Sequence, residues 1–169
     1  MLVCAMNPCP CGFYGHPTRK CTCPSGAVAK YLSRISGPLL DRLDLHVEVP
    51  PVNFNELTAP STGEPSSKIK ERVNRTRALQ QQRYKDCGFS CNARLTPSML
   101  RHFCALTDSA TRLLRDAFEG MGLSARAYDR IVKVSRTIAD LDGSESIEAE
   151  HIAEAVQYRS LDRKYWSGH

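Results

Sequence analysis

The sequence lacks several things, and each absence excludes a class. No apolar run approaches the ~18 residues a membrane-spanning helix needs, so a bundle of transmembrane helices is excluded. The opening MLVCAMNPCPCG has no basic leader and no sustained apolar stretch, so it does not read as a secretory signal. Aromatics are sparse at 7%, with one tryptophan. No G-x-x-x-x-G-K-[ST] phosphate loop occurs. No apolar strand ends in the acidic pair that would hold magnesium. There is no internal repeat. What is present is ordinary for a globular chain: 169 residues, 41% hydrophobic, 24% charged and a net charge of +5. Eight cysteines without a leader point to a reducing, cytoplasmic setting, where thiols serve metal or redox roles more than disulfides.

Leu2–Met6 is a short apolar run stopped by Asn7-Pro8, as a buried parallel strand would be. Leu45–Val49 alternates apolar and polar and ends at Pro50-Pro51, which reads as a second strand. A domain seldom opens on a buried strand, so the expectation is a piece of a larger protein. Between the strands lie a cysteine-rich loop (8–24), a short helix over 25–35 with Ser25 as N-cap, and the breaker Ser36-Gly37-Pro38. Residues 53–66 are rich in Ser, Thr, Gly and Pro and read as a linker. From residue 67 to 169 the pattern is helical. Predicted helices cover 67–84, 97–105, 109–119 (capped by Asp108, closed by Gly120), 125–141 (capped by Ser124, ended by Gly143) and 147–158. The expected architecture is an α/β portion over 1–52 followed by an all-α domain over 67–169, mainly helical overall.

Charge is uneven. Residues 61–105 carry nine basic and three acidic residues, a net of +6. Lys68, Lys70, Arg72, Arg75, Arg77 and Arg83 concentrate it on one helix, a candidate nucleic-acid surface. A solvated helix face would look the same. In the loop, Cys9-x-Cys11 and Cys21-x-Cys23 could converge as four thiolates on one structural zinc. Free thiols in an insertion, or a disulfide formed on oxidation, fit the spacing too. His16 is a spare candidate ligand. Cys4 and Cys104 read as small core residues. Cys87 and Cys91, spaced C-x₃-C, have no partner pair.

Five stretches go further. AMNPCPCG (5–12) and ISGPLLDRLDLH (35–46), with LSARAYDR (123–130), SRTIADL (135–141) and AEAVQYR (153–159) behind them, resemble the second half of a magnesium-chelatase-like AAA+ ATPase. The similarity is greatest to the ComM/YifB competence-protein branch and covers nearly the whole chain. It implies a AAA+ core portion followed by a helical lid, ATP and magnesium as ligands of the intact protein, and assembly with further copies of itself into a hexameric ring. It also implies DNA as the substrate, in helicase-type branch migration during DNA uptake and recombination. The resemblance makes Asn7 the sensor that orients water, Arg42 an arginine finger acting on a neighbouring subunit, and Arg126 the lid arginine reaching the γ-phosphate, with Arg130 one turn on. A chelatase-type motor working through a protein partner shares the LLDR motif, and a stand-alone zinc-stabilised binding module remains the non-enzymatic alternative. Without a phosphate loop, these 169 residues are expected to be inactive alone.

Overall fold

The structure, a computed structural model, describes residues 1–52, 54–58 and 63–159, with the side chains of 55 and 56 outside the description. The described residues are mainly helical and fall into two compact units, Met1–Thr58 and Ala59–Arg159.

The first unit holds a loop, α1 (Ala27–Leu32), α2 (Gly37–Leu40) and α3 (Phe54–Thr58). No strand occurs among the described residues. Among the described residues Leu2–Met6 and Leu45–Val49 form no ladder, and their apolar side chains stay in solvent: Val3 is 81% exposed and Val49 83%. The α/β expectation is therefore not met among the described residues, since a strand exists only through the hydrogen bonds of a neighbour. Cys4 is exposed rather than a core residue. Gly26, with φ +77, starts α1 in place of Ser25. Ser36 caps α2 through its side chain, accepting from the Leu39 N–H, with proline in the first turn. α3 occupies part of the stretch read as a linker. Residues 53 and 59–62 lie outside the described residues.

The second unit is built from α4 (Ser66–Arg83), a 3₁₀ turn (Asn92–Arg94), α5 (Pro97–Phe103), α6 (Asp108–Met121), α7 (Ala125–Asp142) and α8 (Ala149–Gln157). Residues 160–169 of the expected lid lie outside the described residues. Each boundary follows from a cap. Thr107, one residue before the expected Asp108, accepts from the Ala110 N–H and leaves Asp108 to favour the helix dipole. Ser124 accepts from the Ala127 N–H at 3.1 Å. Gly122 and Gly143, both left-handed, close α6 and α7. Gly120 is simply helical.

The core of this unit is Tyr84, Leu95, Leu100, Cys104, Ala110, Leu114, Ile131, Val132, Ala139, Ile147, Ile152 and Ala155. Its apolar stripes come from α6, α7 and α8, which pack together. Tyr84 sits against Phe89 and Phe103, centroids at 4.9 and 5.1 Å. Burial pushes the Cys104 thiol up to about 11, consistent with the small-core reading. A parallel bridge, Leu106 to Ile147, joins the α5–α6 and α7–α8 connections, with the Thr107 and Ile147 amides donating at 3.0 and 2.8 Å.

α4 is held by a polar cluster rather than by apolar packing. Ile69, Val73 and Leu79 all remain more than 40% exposed. Instead Gln80 and Arg83 reach across to Asp140 on α7. Asp140 also accepts from Asn92 Nδ2 at 2.8 Å and from Arg136 Nε at 3.1 Å. Arg136 in turn donates to the carbonyls of Ser144 and Glu145, satisfying groups just beyond the end of α7. Tyr84 closes the cluster by donating its hydroxyl to Asn92 Oδ1 at 2.7 Å. Burial raises the Asp140 carboxyl, but the hydrogen bonds from Arg83 and Asn92 and the Arg136 charge outweigh it and hold the group below the ordinary carboxylate value.

Candidate functional site

The loop over 8–24 brings Cys9, Cys11, Cys21 and Cys23 together, their sulfurs all within 4.8 Å of one another. Three of the separations are 3.3 Å (Cys9–Cys11), 3.5 Å (Cys11–Cys21) and 3.7 Å (Cys9–Cys21). All four are free thiols. Four sulfurs at about 2.3 Å from one zinc stand roughly 3.8 Å apart, so the set is close to a tetrahedron's edge length and far from a disulfide's. Local turns produce the convergence. Gly12, at φ +82, allows its N–H to return to the Cys9 carbonyl at 3.0 Å, which puts Cys11 back beside Cys9.

Backbone donors aim at the sulfurs. The Phe13 N–H donates to Cys11, as does that of Thr22, and these hold the Cys11 thiol down at about 5. The Cys23 N–H points at Cys21, and the Cys11 N–H at Cys23. For Cys23 the Cys11 amide favours the thiolate, but burial and the three neighbouring sulfurs push it up to about 12. Four thiols this close cannot all ionise without a cation to share. His16 stands outside the set: its Nδ1 accepts the Thr18 and Arg19 N–H groups, and its ring packs edge-on against Phe13.

A second group, which no sequence spacing reveals, lies on the helical unit. Asp142, Glu150 and His151 bring ligand-type atoms within 4.8 Å. His151 Nδ1 accepts the Glu148 N–H at 2.9 Å. The proton of the neutral ring is thus on Nε2, facing Asp142 at 3.5 Å. The ring caps α8 and pairs with acids, and it offers no lone pair to a metal.

The single-residue candidates divide between the units. Asn7 is exposed at the start of the loop, its Cγ 3.9 Å from where a Cβ on Gly12 would lie. Arg42 is exposed just after α2 and donates Nη1 to the Pro38 carbonyl at 2.8 Å. Arg126 is exposed in the first turn of α7 and has no side-chain partner among the described residues. A cation there opposes the helix dipole, at a cost of roughly 0.3–1 kcal/mol. Arg130, half-buried, follows one turn later.

The six basic candidates on α4 separate into two kinds. Arg72 is clamped by Glu64 at 3.0 and 3.1 Å, Lys68 faces Glu71 at 3.4 Å, and Arg83 belongs to the Asp140 cluster. Arg83 is therefore a structural residue, spoken for by a carboxylate that the sequence places 57 positions away. Lys70, Arg75 and Arg77 are exposed and form no ion pair among the described residues. Arg77 borders a cleft of about 250 Å³ with Val73, Cys91, Ala93 and Leu141.

Comparison with known families and proteins accords with these motifs. Residues 63–159 match the family described as magnesium chelatase, subunit ChlI C-terminal, and residues 1–57 match magnesium chelatase, subunit ChlI. The competence protein ComM of Haemophilus influenzae is 42% identical over 96% of the chain. YifB of Escherichia coli is 41% identical over 96%, and a Mycobacterium bovis protein 35% over 94%. In each case the chain spans 31% of the relative's length. By the match over residues 63–159, more than half of its length, the chain belongs to the magnesium chelatase ChlI family.

Proposed function

We propose that these residues are the sensor, arginine-finger and lid part of an ATP-driven AAA+ ring motor that acts on DNA in the cytoplasm, in helicase-type branch migration serving DNA uptake and recombination. The observation that carries the reading is the contrast among arginines. Arg83 and Arg136 are locked to Asp140, while Arg126 and Arg42 stand exposed with no carboxylate partner among the described residues. An uncommitted planar fork suits a phosphoryl group. In the intact ATPase, Asn7 would orient water, Arg42 would act across a subunit boundary of a homo-hexamer, and Arg126 with Arg130 would meet the nucleotide from the lid. ATP and magnesium are the ligands that family membership supports. The relative's designation as a competence protein supports a role in DNA transfer. Lys70, Arg75 and Arg77 are the cations left for a nucleic-acid backbone.

One observation favours a second reading. Half of the basic set on α4 is already neutralised by acids. The positive field is weaker than composition implies, as suits a chelatase-type motor that works on a protein partner. ATP turnover by the full-length protein, with and without branched DNA, separates the two. Stimulation by DNA is the expected result, and indifference to it supports the protein-partnered motor. The four-cysteine loop is read as a structural zinc site in either case.

A further inference from the structure

We propose that the tetrathiolate loop is a closed zinc centre whose task is to position Asn7. This rests on the zinc reading above and adds to it the part of the molecule that the metal controls.

The donor set itself names the metal class. Four thiolates in tetrahedral array suit a soft d¹⁰ ion, and four protein ligands fill its coordination and leave no open position for catalysis. His16 cannot supply Nδ1, since two backbone N–H groups occupy it. The backbone donors fit the same assignment. The N–H two residues beyond Cys11, that of Phe13, and two beyond Cys21, that of Cys23, both turn to the cysteine sulfur. Such donors orient metal-bound thiolates and spread their charge. On binding, each sulfur that is still protonated gives its proton to water and all four thiolates donate an electron pair to the metal, leaving the site with a net charge of −2.

Among the described residues, Phe13 packs edge-on against His16 and lies beneath the Arg19 guanidinium. Yet Cys9 is fully buried. A loop this polar orders only if some strong bond offsets the lost chain entropy.

Asn7 is tied to the cluster twice. Along the chain, only Pro8 separates it from Cys9, and the proline ring fixes φ. Through space, its side chain rests by Gly12, the residue after Cys11. Both supports are next to ligands. Loss of the metal frees Cys9 and Cys11 and with them both supports.

The test uses the full 169-residue chain, labelled with nitrogen-15 and purified without chelator. Elemental analysis is expected to give about one zinc per chain. The Asn7 side-chain amide, assigned by its disappearance in Asn7→Asp, is expected to be dispersed with zinc bound. It should move to the random-coil position when the metal is stripped, and return when zinc or cadmium is added. Cys11→Ser is expected to lose the metal and Cys87→Ser to keep it. A metal-free chain with the same amide dispersion would overturn the zinc reading and this inference together, as would iron in place of zinc for the metal's identity. Stoichiometric zinc with an Asn7 amide that stays put on stripping would overturn the positioning role alone and leave the zinc reading intact.

Discussion

Arg136 reaches Asp140 one turn further along α7, Nε to Oδ1 at 3.1 Å, with both side chains withdrawn from solvent. This pair organises the helical unit. Arg136 carries the connection after α7, and Asp140 gathers Arg83, Gln80 and Asn92 from outside the helix.

Asp140→Ala strands a buried guanidinium. The expected loss is about 3–5 kcal/mol, the range for breaking one side of a buried pair, read by urea unfolding. A pH series adds a sign. The folded-state carboxyl lies below its ordinary value, so its contribution is complete above that ordinary value and disappears as pH falls through the lower, folded one. Acid should therefore destabilise the native chain below about pH 4 by more than it does Asp140→Asn. Equal acid profiles would remove Asp140 from the account.

Ser135 Oγ is buried on α7 with no hydrogen-bond partner among the described residues. Ser135→Ala removes an unsatisfied hydroxyl and is expected to stabilise the chain by about 1 kcal/mol, at the low end of the usual penalty. Thermal unfolding at neutral pH is the measurement. A lower midpoint would mean that the hydroxyl is satisfied in solution.

Arg42→Ala in the full-length protein should lower ATP turnover by ~10³-fold or more, as loss of an arginine finger does elsewhere, while nucleotide binding persists. The side chain is exposed and donates to the Pro38 carbonyl within its own turn, so folding should change little. Mixing the variant with subunits whose own nucleotide pocket is inactivated checks that the residue acts across a boundary, because only a finger supplied in trans completes a site in such a mixture. Failure of the mixture to regain turnover would argue against that.

Lys70, Arg75 and Arg77 replaced together by alanine should weaken DNA binding and flatten its dependence on salt. The slope should fall by about 0.9 for each phosphate that these cations neutralise. Anisotropy titrations at several salt concentrations read this out. Arg83→Ala makes the contrast: it should lower stability through Asp140 and leave the salt slope alone.

Helix caps and punctuation explain what is legible in the sequence. Ser124 and Gly143 bracket α7 as their residue types demand, and the apolar stripe through Ile131 lies in the core. Thr107 takes the cap from Asp108 because both are capping residues in adjacent positions, and sequence alone gives no ranking between neighbours. The cysteine spacing indicates which sulfurs could meet, though the turn that returns Cys11 to Cys9 depends on the left-handed Gly12. Arg83 reads as surface charge because its partner is remote in sequence, and no periodicity links α4 to Asp140. The segments Leu2–Met6 and Leu45–Val49 carry strand-like patterns, but pairing is a property of two segments, and composition reports only one.

The Asp140 cluster also sets the mechanics of α7. The helix has 18 residues, about 27 Å at ~1.5 Å per residue. Its far end is bolted by charge to α4 and to the 3₁₀ turn, while Arg126 sits exposed at the near end. Ala127, Ile131 and Val132 bury the near half of the same helix in the apolar core, so α7 is fixed along its length and Arg126 is carried on a rigid mount.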